Sequence, residues 1–196
     1  MATKLAQLIA EVAIAVGSRD RAAMVKTASA AASQLSEKDL VKLPDLWFPT
    51  ISAKKVGAPE LKEFWDLSWF EAMTELLLQK GREGLPGLFV LAERDDSTYH
   101  HFVFVRLLRS AADGIDTEAT LTRVRQRLTT LQHVWTIGSV REIVYWTQVD
   151  SRPFELLKPM SDVVLPRMDG DTVGVIIQRM VEELAYHLAQ MKTQES

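Results

Sequence analysis

Histidines and arginines are the residues of this chain best equipped for chemistry. His100 precedes Val103 and Phe104 by three and four positions, so a helix here sets its imidazole beside apolar residues. Asp95 and Asp96 stand just upstream, where either carboxylate could pair with His100 as a general base, with His133 joining if the fold brings it close. A helix cap at the aspartates and a hydrogen-bonded core histidine explain the same residues without catalysis. His101 falls on the polar stripe with Arg109, and neighbouring helical positions point about 100° apart, so the tandem does not offer two ligands to one metal. His133 closes a helix, and His187 follows Glu183 by one turn; dipole and pair effects account for both.

The sequence contains no HExxH, no Glu-x-x-His pair, no GxSxG and no phosphate-cradling glycine loop. Asp169-Gly170-Asp171 is too short for a calcium loop, because no bidentate Glu follows at the required distance. The chain has no cysteine, which excludes disulfides, thiolate metal sites and a cysteine nucleophile. Neither a cofactor nor a metal is expected.

Recognition groups are more plentiful. Arg123 and Arg127 are one turn apart and opposite the Leu121/Leu128 stripe, so they share an exposed face. Arg106 and Arg109 join them if the two helices pack as an antiparallel hairpin. Such a cluster suits phosphate, a carboxylate-rich peptide or a nucleic-acid backbone; a solvated face paired with local acids is the plainer account. Among five tryptophans, Trp65 and Trp69 are one turn apart and flanked by Phe64 and Phe70, too many rings for one helix face. Either helices cover them on two sides or part of the cluster is exposed as a contact surface. Trp47-Phe48 lies between Pro44 and Pro49, placed to plug a groove or to present a contact.

Composition sets the bounds on these readings. A chain of 196 residues, 47% hydrophobic and 25% charged, can bury a core without metal or disulfide support. The net charge of −3 argues against a dedicated nucleic-acid binder. Gln7 and Glu11 interrupt any signal-peptide core, and no apolar run reaches the roughly 20 residues that span a bilayer. A cytoplasmic protein with no membrane partner is expected.

The elements that must position these residues are helices. Leu5, Leu8, Ile9, Val12 and Val16 make one face of a first helix, with Gly17 as its left-handed stop. Ser18 then caps a second helix whose face is Val25, Ala28, Ala32 and Leu35. Ser36 and Asp39 make a capping box for a short helix to Leu43. A loop with Gly57 and Pro59 follows. Pro59 opens a helix with Leu61, Phe64 and Trp65, restarted by a second box at Ser68 and Glu71. Trp69, Ala72, Met73, Leu76 and Leu77 form its apolar face, ending at Gly81.

Pro86 opens the next helix, with Leu88, Phe89, Leu91 and Ala92, and the polar run from Glu93 to Ser97 closes it. A helix from Thr98 to Ala112 buries Tyr99, Val103, Phe104, Leu107, Leu108 and Ala111 before Asp113-Gly114 stops it. Asp116 caps another, with Leu121, Val124, Leu128 and Leu131 inward. Residues 134–149 suit either a helix capped at Ser139 or a hairpin turning at Gly138-Ser139, the helix being favoured. Residues 158–170 are irregular. A last helix from Asp171 turns Val173, Ile177, Met180, Leu184, Leu188 and Met191 inward.

Setting Gly84 on Gly114 pairs Trp69 with Tyr99, Met73 with Val103, Leu77 with Leu107 and Leu91 with Leu121. Each unit is helix, turn, helix, which resembles HEAT or armadillo repeats; that resemblance implies a scaffold with an extended face for another macromolecule. The fold expected is all-α, one domain over 1–196 of about eight or nine helices, stacked as antiparallel hairpins in a superhelix or bundle. Within it, 1–43 forms an N-terminal hairpin plus a short helix, and 59–196 the main stack.

The function expected is a non-catalytic protein-binding or adaptor module, self-association included. Trp47, Trp65, Trp69 and Phe70 would serve as anchors, with Arg106, Arg109, Arg123 and Arg127 selecting an anionic partner. The alternatives are a small enzyme using His100 with Asp95 or Asp96, and a nucleic-acid-backbone binder using the arginine face.

Overall fold

In a computed structural model the fold is all-α, and residues 3–18, 20–94, 100–130, 151–164, 172–179 and 181–182 are described, the side chains of 100–102 and 130 excepted. No strand occurs among them; the one pairing of extended segments is an isolated antiparallel bridge between Val164 and Thr172. No helix among the described residues is long and apolar enough to cross a membrane. The chain divides into two compact units, Met1–Asp95 and Asp96–Ser196.

In the first unit α1 (Lys4–Gly17) and α2 (Arg21–Ala32) form a packed helical hairpin that rests on α4 (Trp65–Gln79). Leu5, Leu8, Ile9 and Val12 are buried, as their spacing requires. Met24, Ala28, Ala31 and Ala32 are the buried residues of α2, and the short alanines let it lie close to its neighbours. The connection departs from the expected signals. Ser18 closes α1, its hydroxyl donating to the Ala15 carbonyl, while Asp20 caps α2 by accepting from Ala23 N–H at 3.0 Å. Gly17 is not left-handed; a Cβ there would lie 2.6 Å from both Leu61 methyls, so close approach is what this position requires.

The box at Ser36 forms as expected and starts α3 (Glu37–Lys42). The Ser36 hydroxyl and backbone N–H both donate to Asp39 Oδ2, at 2.6 and 2.9 Å. These bonds, the hydroxyl's first, hold the Asp39 carboxyl below its ordinary value. The span from 43 to 64 is three 3-10 turns, Leu43–Leu46, Ala53–Val56 and Pro59–Phe64, with Gly57 left-handed between the last two.

α4 is the centre of this unit. Its apolar face wraps almost fully round: Trp69, Ala72, Met73, Leu76 and Leu77 are wholly buried, and so are Thr74 and Glu75 on other sides. The expected restart at Ser68 does not occur. That residue lies inside α4 and is buried, because Trp65 and Phe70 are packed as well and a solvated cap there would interrupt the core. Gly81 takes the left-handed conformation after α4, and α5 (Leu85–Glu93) begins with Pro86 in its first turn.

In the second unit α6 (His100–Ala112) packs on α7 (Thr117–Thr130) and on α8 (Arg152–Leu157). The stop between α6 and α7 is a Schellman motif: Gly114 N–H donates to Ala111 O and Ile115 N–H to Ser110 O, each at 3.0 Å, with Gly114 at φ +78°. Asp116 stands before α7, where its carbonyl accepts from Thr120 N–H. Val124 and Leu128 are buried, with Leu121 half-buried. Helix α8 has no counterpart in the sequence reading; Pro153 in its first turn is the signal that could have marked it. The C-terminal helix starts at 173 rather than Asp171, with Thr172 Oγ1 accepting from Val175 N–H. Val173 and Ile176 are buried there, and Ile177 is half-buried. Expectations at Tyr99, Leu131, 134–149, Met180, Leu184, His187, Leu188 and Met191 lie outside the described residues.

The two glycines aligned by the repeat have different duties. A Cβ on Gly84 would fall 1.9 Å from the Leu77 carbonyl oxygen, whereas Gly114 has open space and a positive φ. Gly84→Ala is therefore expected to cost about 3 kcal/mol through overpacking, and Gly114→Ala about 1 kcal/mol through backbone strain. Urea unfolding followed by circular dichroism checks both; equal, mild effects would contradict the close approach at Gly84. A second expectation concerns pH. Because the folded Asp39 carboxyl titrates low, its cap stabilises α3 above the ordinary carboxylate value and is lost as pH falls through the depressed one. An NMR titration of the Asp39 carboxyl checks this, and an ordinary value would contradict the doubled bond from Ser36.

Candidate functional site

The site is assembled where the 3-10 turn Leu43–Leu46 crosses α5. Leu43 and Pro44 are buried, and the turn packs against both α4 and α5. Gly87 admits this approach: a Cβ there would meet a Leu77 methyl at 2.7 Å and Pro44 Cγ at 3.4 Å. Positions 87, 90 or 91, and 94 recur along one side of α5. Arg94, the residue that ends the helix, is thereby brought to the turn.

Arg94 is held there by its planar fork. Nη1 donates to the Pro44 carbonyl at 2.6 Å, Nη2 to Asp45 Oδ1 at 2.8 Å, and the guanidinium carbon lies 5.5 Å from the centre of the Trp47 ring. Trp47 in turn packs on Phe48, with ring centroids 4.5 Å apart and planes inclined at 50°. Trp47 is half-buried, but Phe48 is 47% exposed and Val90, one turn before Arg94, is 45% exposed. The turn and α5 thus each present one exposed apolar residue, Phe48 and Val90, and a paired acid and base joins the two segments.

Two indoles fix this segment from beneath. Trp69 Nε1–H donates to the Leu46 carbonyl and Trp65 Nε1–H to the Ile51 carbonyl, each at 2.6 Å, and their rings are 6.0 Å apart. The carbonyls on either side of Trp47-Phe48 are thus tied to one helix. This corrects the expectation for Trp65, Trp69 and Phe70. All three are buried, so they support the surface instead of forming it. Trp47 alone of the four aromatic candidates reaches solvent.

The arginine face is also altered. Arg106 is wholly buried in α6, between Val105 and Leu107, and presents nothing to a partner. Apolar residues on the other sides of α6 are packed too, which turns a position read as polar-facing into an interior one. Arg123 is exposed, Arg109 and Arg127 are half-buried, and each has its own interaction within the protein. Nearby arginines are tied locally: Arg125 to Asp162 at 2.6 Å, and Arg152 to Asp113 at 2.9 Å. The bond from Arg125 lowers the Asp162 carboxyl. Asp95, Asp96 and His133 lie outside the described residues, and of His100 only its place at the start of α6 is described. No group of three His, Asp or Glu side chains placed to hold a metal occurs among the described residues.

Sequence reasoning passed over Arg94, Asp45, Val90 and Gly87. Arg94 sat in a polar run that reads as a helix stop, and no local pattern reports a bond to a residue 50 positions earlier. The Gly87/Val90/Arg94 spacing on α5 was the available signal. No protein-family model, curated protein or solved structure matches this chain.

Trp65→Phe and Trp69→Phe keep most of the ring but remove the donor, leaving a carbonyl unpaired in the interior. Each is expected to lower stability by about 1–2 kcal/mol. Trp47→Phe, with no such bond in its support, should cost less. Urea unfolding of the three variants checks the order, and a Trp47→Phe cost equal to the others would contradict it.

Proposed function

We propose that the protein is a non-catalytic binding module that presents Trp47 and Phe48, flanked by Val90 and Arg94, to a protein partner. The observation that carries this reading is the solvent-facing aromatic pair on a segment whose carbonyls are pinned from below. Exposed aromatic surface gains most when a partner removes it from water, and aromatic residues with arginine dominate the energetics of protein interfaces. A segment already fixed by two indole bonds surrenders little conformational freedom on binding. Arg94 contributes direction, since its fork orients the Trp47 ring and the carboxylate of Asp45 together. The arginines of the second unit are not required for this reading, and Arg106 is removed from the surface by burial.

The test compares wild-type protein with Phe48→Asp and Phe64→Asp as immobilised baits. Phe64, which ends the 3-10 turn before α4, is 58% exposed and serves as an accessible control. The expected result is a bound protein whose affinity falls at least about tenfold with Phe48→Asp and is unchanged with Phe64→Asp. Equal retention by all three baits, or equal loss with both variants, would overturn the assignment to this surface.

A further inference from the structure

We propose that the occupant of the Trp47/Phe48 surface is a second copy of this chain, joined about a two-fold axis; this rests on the binding reading above. An isologous interface must carry its own complement, because the same patch appears on both sides. This patch does so. Its apolar part is Phe48 and Val90, and its edge carries one acid and one base, Asp45 and Arg94, 2.8 Å apart. The Asp45 side chain is 74% exposed and that of Arg94 28%, so the pair is open to solvent and not sealed in the core.

Two such pairs brought together by a two-fold rotation form an alternating square of charges. Each carboxylate then faces a guanidinium in its own chain and one in the other, and no like charges are forced together. The rotation also stacks the apolar part of one copy against the same part of the other. A surface of one charge sign, such as a nucleic-acid backbone, would meet attraction at Arg94 and repulsion at Asp45. A copy of the chain supplies the matching acid, base and apolar surface without further requirement. The cost of association is lowered by the two indole bonds, which hold the segment in place before a partner arrives.

The experiment is sedimentation equilibrium of the full chain over about a hundredfold range of concentration. The expected result for wild type is a reversible monomer–dimer equilibrium. Phe48→Asp should weaken it at least about tenfold, with Phe64→Asp as the unaffected control. Asp45→Arg and Arg94→Asp should each be monomeric alone, through repulsion of like charges, and should dimerise when mixed. Wild type that stays monomeric throughout overturns the proposal, as does a dimer indifferent to Phe48→Asp. A monomeric wild type that still loses a different captured protein on Phe48→Asp overturns the second copy alone; loss of nothing overturns the binding reading too. Thermal unfolding of each variant separates repulsion from misfolding, and the wild-type dilution stands without any variant.

Discussion

A helix buried on most of its sides has little water to receive its polar groups, and α4 from Ala72 to Leu78 is such a helix. Thr74 returns its hydroxyl to the Glu71 carbonyl at 2.9 Å, and the buried Glu75 accepts from Gln79 at 2.9 Å. The two indoles have no acceptor on their own helix and reach outward to Leu46 and Ile51. Burial of α4 thereby dictates where the segment between α3 and α4 must run. An unpaired indole N–H in that core would cost about 1–3 kcal/mol, so the segment is held as firmly as the helix is packed. The exposed aromatic pair is a by-product of that requirement: the residues between the two pinned carbonyls are left facing out.

The same constraint explains which parts of the fold were legible in the residues. Three signals that act within one turn hold in the structure, the Ser36/Asp39 box, Pro86 at a helix start and the stop at Gly114, whereas the cap of α2 falls to Asp20 and not Ser18. Helical spacing found the main faces of α1, α4 and α6 because a single apolar stripe is sufficient to reveal a helix. It could not reveal that α4 and α6 are enclosed on further sides. Ser68 reads as a cap that restarts the helix and Arg106 as part of an exposed arginine face, yet both are interior. Gly17 was assigned a conformation when its actual duty is clearance for Leu61, a residue 44 places away. Each error required knowledge of which distant residue lies opposite.

The candidate surface was half visible for the same reason. Trp47 and Phe48 stand out by type, and their place between Pro44 and Pro49 suits either a plug in a groove or a contact. What holds them is not local, and neither is Arg94. The arginines of the second unit drew attention by number, yet charge density along a sequence does not report pairing. Arg125 and Arg152 are met by Asp162 and Asp113, and Arg106 is removed from water altogether. Exposed ion pairs of this kind add little stability, since screening and side-chain entropy offset most of the attraction. Each of these two pairs sets an opposite charge beside its arginine.

The three fastenings around Trp47 also differ in how much chain they enclose. The bonds of Trp65, Trp69 and Arg94 to backbone carbonyls close loops of 14, 23 and 50 residues. Loop-closure entropy rises with the logarithm of length, so the arginine bond costs about 1 kcal/mol more to close than that of Trp65. During folding the shorter loops are entropically favoured to close ahead of the longer one. Entropy thus favours the indole fastenings as the inner support and leaves the guanidinium as the outermost bolt on it.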